Sequence, residues 1–420
     1  MKFNWHPDEE LPLIEDHSKA KLKVLRAYLR AYIKRLNTLP HRDQFKLDLV
    51  DGFAGGGAYS SDQGDILPGS PLIMLEEIEE AKRRLNTDRR KTLDFDCRFY
   101  FVDKERAHTD HLKKTLTGRG CRIDGGDISI YTGEFADHYE VILKEIKRRQ
   151  PRSGRAIVLL DQTGYSLVDL KLIKDIFSQL TSVEIILTFA ADVLINLLSK
   201  NLDIVRSVAP IELSDKDIIH LIDAKEGAGG KALVQRTLLQ HVCRATNAPF
   251  YTPFFIRPGL SRRALWFLHL SKHPTARDVM IQQHWNMYNT FEHYGTGDLH
   301  MLGWDALKDS KTMSLFTFKE HDSENMRERL LDLFLYELLG LTSEQPVTYD
   351  SVKHMYANRT AARFSDMEKV ILQLSQEKEI EILGPDGKMR SKKLKTIRPE
   401  DQISSPKSIL IPTFSRLYKK

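Results

Sequence analysis

Cysteine is scarce in this chain, which has three in 420 residues, at Cys97, Cys121 and Cys243. An odd number at wide spacing argues against a disulfide framework. The spacing also lacks the close pairs that a zinc knuckle or an iron–sulfur cluster requires. We therefore expect no metal site and interpret the three thiols as buried or bystander groups.

Long apolar runs are also missing. No stretch approaches 18 consecutive apolar residues, and the first six residues contain no apolar signal region. We therefore expect a cytoplasmic protein without membrane contact. The length predicts two or three domains, and 41% hydrophobic with 29% charged residues is normal for a soluble protein. The net charge of +5 is too small to indicate nucleic-acid binding by itself.

Residues 1–40 are predicted to form an N-terminal basic helix that packs on the core. Asp16 or Ser18 can cap this helix, which runs to about Asn37 with one leucine-rich stripe. The opposite face is either a solvated surface or a surface that contacts phosphates. Its basic residues are Lys19, Lys23, Arg26, Arg30 and Lys34.

A glycine-rich turn after a short apolar strand, residues 47–50, dominates the next part of the chain. Four glycines fall within residues 52–57, in the order G-x-x-G-G-G rather than the dinucleotide order G-x-G-x-x-G. Nicotinamide and flavin cofactors are therefore not the first choice. The turn is either a plain loop or an element whose backbone passes close to a nucleotide-type ligand.

The acid at the end of this strand, Asp51, is followed by Phe53-Ala54-Gly55. The pattern resembles motif I of class I S-adenosylmethionine (SAM)-dependent methyltransferases. This resemblance implies SAM as the cofactor, with Asp51 near its amino-acid end. The backbone of Phe53, Ala54, Gly55 and Gly57 would lie beneath its ribose and methionine.

Two further segments are candidates for the cofactor site. The next predicted strand ends at Asp103, which can accept both ribose hydroxyls, with Glu105 as the alternative. Asp103 follows Gly57 by 46 positions, rather than the usual spacing of about 20. A third strand is predicted at residues 121–123. Asp127-Ile128 after it either flanks an adenine ring or caps a surface turn.

The fourth predicted strand, residues 156–160, is apolar throughout, which fits a parallel strand buried on both faces. Asp161, Thr163 and Tyr165 follow it and are the candidate catalytic residues. DNA amino-methyltransferases carry Asp/Asn-Pro-Pro-Tyr/Phe at this position and stack the aromatic ring on a flipped base. Here the prolines are replaced by Gln162 and Thr163, and the aromatic residue is one position late. Base-amine chemistry is possible but not indicated.

The remaining pattern completes a mixed α/β domain over residues 41–310. A fifth strand at residues 183–189 is followed by a helical insert at about 191–246. Two aromatic-rich strands, 251–256 and 264–270, predict a terminal antiparallel hairpin. The fold class is therefore a Rossmann-like, mostly parallel methyltransferase sheet.

Residues 323–420 are predicted to form a separate winged-helix-like α+β domain of three helices and a hairpin, 379–383 with 388–397. Residues 385–420 contain ten Lys or Arg against three Asp or Glu. The basic wing either contacts nucleic acid or is a solvated tail on a protein-interaction domain. Its candidate nucleic-acid-binding residues are Lys388, Arg390, Lys392, Lys393 and Lys395.

Taken in order, these motifs resemble the three-Cys-motif partner proteins (TcmP). The similarity spans roughly residues 16–285 and includes Gly69-Ser70-Pro71 and Ser271-Lys272-His273-Pro274. It implies a bacterial methyltransferase-like protein whose partner is a three-cysteine protein of radical-SAM type. Asp161-Gln162-Thr163-Gly164 departs from the Asp-Pro-Tyr-Gly associated with this family.

Two functions remain open at this stage. The first is a SAM-dependent methyltransferase that acts on nucleic acid and uses the winged helix to dock its substrate. The second is a methyltransferase-like binding protein, without turnover, that recruits nucleic acid or the three-Cys partner. The altered fourth-strand motif favours the binding protein, whereas the intact residues Asp51, Gly57 and Asp103 favour the enzyme.

Overall fold

A computed structural model gives the fold of two compact units, residues 1–283 and 284–420, which are described separately. The structure describes residues 5, 10–38, 42–87, 89–123, 126–162, 168–189, 213–226, 230–256, 265–287, 293–294, 315–316, 320–391 and 394–406. Of the candidate residues, Thr163, Tyr165, Lys392 and Lys393 lie outside these ranges.

The first unit is built on a seven-stranded sheet with the order β5-β4-β1-β6-β7-β9-β8. β9 is antiparallel to its neighbours, and the other pairings within β5-β4-β1-β6-β7 are parallel. All of β6 and β7 is buried, as parallel strands covered on both faces require. The strands are β1 (Gln44–Asp51), β4 (Asp94–Asp103), β5 (Ile128–Thr132), β6 (Ala156–Leu160), β7 (Val183–Phe189), β8 (Phe250–Ile256) and β9 (Leu265–Ser271), and a separate pair is β2 (Ala58–Ser60) with β3 (Ile66–Pro68).

Helices connect these strands and cover the sheet. The predicted N-terminal helix is α1, and two of its basic residues, Arg26 and Arg30, bind the buried carboxylate of Glu77 on α2. That part of the predicted basic face therefore joins two helices. The helices are α1 (Asp16–Leu36), α2 (Ser70–Asn86), α3 (Arg106–Gly118), α4 (Phe135–Arg149), α5 (Leu170–Gln179), α6 (Asp215–Glu226), α7 (Gly230–Thr246) and α8 (Pro274–Asn286).

The predicted third strand is wrong. Residues 121–123 contribute one isolated bridge, from Ile123 to Ile128, and the strand that pairs with β4 is β5. The reason is composition: β5 is a run of five residues rich in β-branched and aromatic side chains. The 121–123 segment is only three residues long and is followed by two glycines.

The predicted terminal hairpin is confirmed. β8 pairs with β9 over seven residue pairs, and β9 pairs with β7 over six. β9 therefore covers the edge that β7 would otherwise expose. With this hairpin and the parallel strands before it, the predicted Rossmann-like fold class is confirmed. Within the predicted helical insert, α6 and α7 are described, whereas residues 190–212 lie outside the described ranges.

The described residues beyond α8 in the second unit form three helices, a small sheet of order β12-β14-β13 and a two-stranded sheet, β10-β11. The predicted hairpin turn is present, because the Gly384 amide donates to Lys388 O and the Arg390 amide to Ile382 O. The predicted second strand, 388–397, is wrong: its described part forms only the bridge at Met389, and β14 is the central strand. The cause is the fully buried Asp401, whose carboxylate binds Arg390 and the Arg398 amide and directs the chain into β14. The elements are β10 (His293–Tyr294), β11 (Leu315–Phe316), α9 (Glu320–Leu341), β12 (Val347–Thr348), α10 (Tyr349–Tyr356), α11 (Phe364–Gln376), β13 (Glu381–Leu383) and β14 (Gln402–Ser404).

Across the described ranges, no helix is both long enough and apolar enough to cross a membrane.

Candidate cofactor and acceptor site

Three carboxylates meet at the carboxyl edge of the first unit's sheet. Asp51 ends β1, Asp103 ends β4, and Asp161 follows β6 directly. β1 lies between β4 and β6, with Asp51 in register with Phe101 and Leu159. In open α/β sheets, ligands bind at this edge. The structure therefore brings together the three acids that the sequence pattern singled out.

Asp51 is fully buried. Its Oδ1 accepts a hydrogen bond from the Phe53 amide at 3.1 Å, and its Oδ2 has no hydrogen-bond partner within the described part of the chain. Burial raises the pKa of Asp51 to about 7, against the opposing effect of the Ser70 hydroxyl and the Phe53 amide, and the nearby charges of Asp161 and Asp103 raise it further. The site thus contains a buried carboxyl group with one oxygen available for a donor.

The glycine loop, residues 52–57, is fixed to the strands on both sides of β1. The Gly52 amide donates to Leu159 O of β6 at 2.9 Å, and the Ala54 amide donates to Val102 O of β4 at 2.9 Å. Gly55 and Gly57 have φ values of 60° and 86°, a left-handed conformation that favours glycine. The loop is a rigid turn whose backbone conformation only glycine adopts without strain at these two positions.

Asp103 is already bound on both oxygens by its own chain. Oδ2 accepts from the Gly55 amide at 2.9 Å, and Oδ1 accepts from the Glu105 amide at 3.0 Å and from His108 Nδ1 at 2.9 Å. Glu105, the predicted alternative, contributes its backbone amide to this arrangement. His108 in the first turn of α3 was missed by the sequence reading, although its position five residues after the strand acid is a detectable signal.

A tryptophan covers the glycine loop. Trp5 is 4% exposed, and its indole Nε1 donates to Ala58 O at 2.6 Å. The ring meets Tyr59 and His108 edge to face, with centroid distances of 5.2 and 4.9 Å. The sequence reading did not include Trp5, because the residue lies 46 positions before the strand acid Asp51 and in no motif.

Asp161 is bound by a lysine from α1. Lys21 Nζ lies 2.5 Å from Asp161 Oδ1 and 2.7 Å from Oδ2. The Lys21 side chain is 10% exposed, compared with 26% for Asp161. The sequence reading missed this lysine, and the detectable signal was its register: Lys21 shares a helix face with Leu25 and Tyr28, which are both buried.

His17, one turn before Lys21 on α1, adds a titratable group near this ion pair. Its Nδ1 lies 3.1 Å from a carboxylate oxygen of Glu15. Burial lowers the pKa of His17, and the Lys21 charge acts in the same direction, while Glu15 and Asp161 oppose it. A neutral imidazole therefore lies close to the acceptor end of the site at pH 7.

Asp127 and Ile128 do not belong to this site. Because Ile128 begins β5 rather than following a strand, both residues lie at the amino edge of the sheet. The Asp127 side chain is 68% exposed and forms an ion pair with Arg98. Asp127 precedes the pair of Ile128 with Phe99, whereas Asp51 pairs with Phe101, nearer the carboxyl end of β4. Lys272, at the end of β9, is at that amino edge as well, because Ser271 pairs with Glu184 near the start of β7.

The candidate nucleic-acid residues of the second unit divide into two kinds. Arg390 binds the buried Asp401 at 2.5 and 3.0 Å, so its guanidinium stabilises the fold. Lys388 is 86% exposed, 3.8 Å from Asp386. Lys395 is exposed and lines a surface groove together with Lys369 and other residues of α11.

The fold and the acids at its carboxyl edge define a Rossmann-like α/β protein with a methyltransferase-like first unit. No protein-family model matches the chain, and no curated protein matches it. Among solved structures it is similar to a protein of Legionella pneumophila, LPL1258, with 10% identity and a TM-score of 0.33, covering 59% of this chain and 84% of the other.

Two further solved structures are enzymes. One is a putative O-methyltransferase of Klebsiella pneumoniae, with 9% identity, a TM-score of 0.27 and coverage of 62% and 91%. The other is Trm1 of Pyrococcus horikoshii in complex with SAM, with 10% identity, a TM-score of 0.30 and coverage of 97% of both chains. Because the sequence identities and TM-scores of these structures are low, the fold assignment rests on the strand order given above.

Proposed function

We propose that the first unit is a SAM-dependent methyltransferase. The observation that carries the proposal is the meeting of Asp51, Asp103 and Asp161 around the glycine loop, at the edge where α/β sheets bind ligands. SAM supplies a methyl group on a positively charged sulfur. The protein's own contribution is to bind the cofactor and orient the nucleophile that receives the methyl group.

The residues present fit SAM at its amino-acid end. Asp51 Oδ2 is buried and, among the described residues, accepts no hydrogen bond of normal geometry, although the Ser70 hydroxyl is close enough to lower the pKa of this group. An ammonium group is a suitable partner for such a buried carboxylate. At the ribose end, the Asp103 oxygens already accept three N–H groups, which leaves about one acceptor site for a first ribose hydroxyl. The second hydroxyl can bind Asp103 by replacing the contact from His108.

Asp161 and Lys21 provide the acceptor end of the site. Asp161 accepts a hydrogen bond from the nucleophile and so directs its lone pair toward the methyl group. Lys21 acts as a positioning residue, since its ammonium contacts both carboxylate oxygens and fixes their orientation. In this scheme α1 completes the active site rather than only covering the core.

Nucleic acid is the substrate class that we propose. The exposed lysines of the second unit, Lys388 and Lys395, support this choice, as does the excess of basic residues near the end of the chain. Binding of a nucleic acid through these lysines would weaken as salt is raised, because counterions are released from the phosphates. Filter binding of single- and double-stranded DNA and RNA at two salt concentrations tests the proposal.

The resemblance to the TcmP family supports one further proposal, a three-Cys protein of radical-SAM type as the partner. Co-expression of the tagged chain with a three-cysteine protein of radical-SAM type, followed by size-exclusion chromatography, tests the interaction. Two separate peaks would remove this partner and leave the methyltransferase proposal unaffected.

A binding protein without turnover is the second candidate. The observation that favours it is that the chain's own groups already occupy Asp103 and Asp161, on both oxygens in each case. A site whose acceptors are already partly used has less capacity for a cofactor and a nucleophile. In this case SAM, where it binds, would be a structural ligand.

Isothermal titration with SAM separates these candidates when it is combined with a transfer assay. We expect micromolar binding by the wild type and loss of binding in an Asp51→Ala, Asp103→Ala double variant. Lys388→Ala is the matched control, because its side chain is exposed and belongs to the second unit. Binding of SAM without methyl transfer to any nucleic acid would favour the binding protein. If SAM produces neither heat in the titration nor a shift in melting temperature, it is neither the methyl donor nor a structural ligand of this chain.

A further inference from the structure

The indole of Trp5 occupies the space beside two glycines of the loop. A Cβ atom on Gly56 would lie 2.2 Å from Trp5 Cγ, and one on Gly55 would lie 2.8 Å from Cη2. Gly55 also needs glycine for its φ of 60°, but the φ of Gly56 is not in the left-handed region. The requirement for glycine at position 56 therefore comes from the contact with Trp5.

The same ring lies next to the groups that close Asp103. His108, which meets the indole edge to face at 4.9 Å, donates to Asp103 Oδ1. Gly55, which contacts the other end of the indole, donates to Asp103 Oδ2. The tryptophan thus packs against two of the three residues whose N–H groups bind the carboxylate proposed to hold the ribose.

Cofactor binding and this packing compete for the same atoms. Asp103 accepts three N–H groups, so about one of its four acceptor sites remains. Binding of both ribose hydroxyls at about 2.7 Å therefore requires one of the three donors, such as His108 or Gly55, to withdraw. Withdrawal of His108 or Gly55 removes part of the packing of the indole, which keeps its bond to Ala58 O and its contact with Tyr59. The arrangement described here is therefore a closed form of the site.

We infer that Trp5 is an affinity-determining residue of the cofactor site, a cap that must leave the glycine loop before SAM binds. The inference rests on the proposed function of the first unit. A ligand that binds only the open form has its apparent affinity reduced by the fraction of protein that is open. Removal of the cap then raises the affinity for SAM.

Two variants remove the cap by independent routes. Trp5→Ala deletes the ring, and Gly56→Ala places a methyl group where the ring lies, at a backbone position that accepts alanine without left-handed strain. We expect both to bind SAM roughly tenfold more tightly than the wild type in isothermal titration, as for a cap closed about nine-tenths of the time. Circular dichroism and a melting curve establish that each variant is folded.

Fluorescence reports on the ring itself in the wild-type chain. On addition of SAM, tryptophan emission should shift to longer wavelength as the buried indole meets water, and Trp5→Phe should lack this shift while the other three tryptophans remain. The inference is overturned if the wild type binds SAM, Trp5→Ala binds it equally or less tightly, and no Trp5-dependent emission shift occurs. In that case the indole does not move on binding, and the proposed function stands. Absence of SAM binding in the wild type and in both cap variants would overturn the two together.

Discussion

Lys21 Nζ binds both carboxylate oxygens of Asp161, at 2.5 and 2.7 Å, across 140 positions of sequence. The pair joins the N-terminal helix to the end of β6, where the acceptor is expected to bind. If Lys21 acts by positioning Asp161, its loss should affect methyl transfer more than cofactor binding. This distinguishes a role in the site from a role in helix packing.

For Lys21→Met we expect a decrease in kcat of about 10- to 100-fold, with the Kd for SAM changed less than twofold. The exposed Lys23→Met on the same helix is the control and should behave as the wild type. Single-turnover transfer and titration with SAM measure the two quantities. Equal losses in kcat and in SAM affinity, accompanied by a lower melting temperature, would indicate that the ion pair only anchors the helix.

The raised pKa of Asp51, about 7, predicts a pH-dependent affinity for SAM. Below pH 7 the carboxyl group is protonated and must lose its proton to bind an ammonium group, so the affinity should rise about tenfold from pH 6 to pH 7.5. Above about pH 8 the α-amino group of SAM loses its own proton, and the affinity should fall again. Titrations at several pH values in two buffers test both limbs, and Asp51→Asn should lack the rising one.

The raised pKa of Asp51 also predicts how the stability of the protein depends on pH. In the unfolded chain Asp51 ionises near its ordinary pKa of 3.8, whereas in the folded protein it ionises near 7 because it is buried. Between pH 3.8 and pH 7 the unfolded state binds fewer protons at Asp51 than the folded state does. The contribution of Asp51 to the free energy of unfolding therefore falls as pH rises through this range, and this loss of stability remains above pH 7. Asp51→Asn should therefore be more stable than the wild type at pH 8, by up to about 4 kcal/mol, with little difference at pH 4 in urea titrations.

The sequence could predict the acids at the strand ends, because Asp51, Asp103 and Asp161 each follow an apolar run that only a buried strand explains. It could also predict the terminal hairpin, whose aromatic strands flank a proline- and glycine-containing turn. These features are local, and parallel pairing alone then brings the strand ends together.

The groups that bind those acids could not be predicted in the same way. Trp5, Lys21 and His108 reach the site through contacts between distant segments, and no local pattern specifies which acid each one binds. The misplaced third strand had a local cause, since Cys121-Arg122-Ile123 alternates apolar and charged residues as a short strand does. That error moved Asp127 to the wrong edge of the sheet.

Gly57 and Gly64 form a matched pair for testing the glycine loop. Both have left-handed φ values, 86° and 84°, but a Cβ on Gly57 would lie 2.7 Å from Leu112 whereas one on Gly64 meets nothing within 4 Å. Gly64→Ala should therefore cost only backbone strain, about 1–2 kcal/mol. Gly57→Ala should cost about 1–3 kcal/mol more in urea unfolding, because the buried Leu112 must move. Equal losses of stability in Gly57→Ala and Gly64→Ala would show that Leu112 of α3 can move away from the loop at little cost.

The second unit offers a test that separates folding from nucleic-acid contact. Arg390→Met leaves the buried Asp401 carboxylate without its charged partner and should destabilise this unit by about 2–4 kcal/mol, since Asp401 keeps only its bond from the Arg398 amide. Lys388→Met removes an exposed charge and should leave the melting temperature unchanged while it reduces the salt dependence of nucleic-acid binding. Calorimetry and filter binding of both variants give the comparison. If Arg390→Met is as stable as the wild type and binds nucleic acid more weakly, the guanidinium of Arg390 contacts phosphate instead. An arginine that binds Asp401 cannot be removed without destabilising the fold.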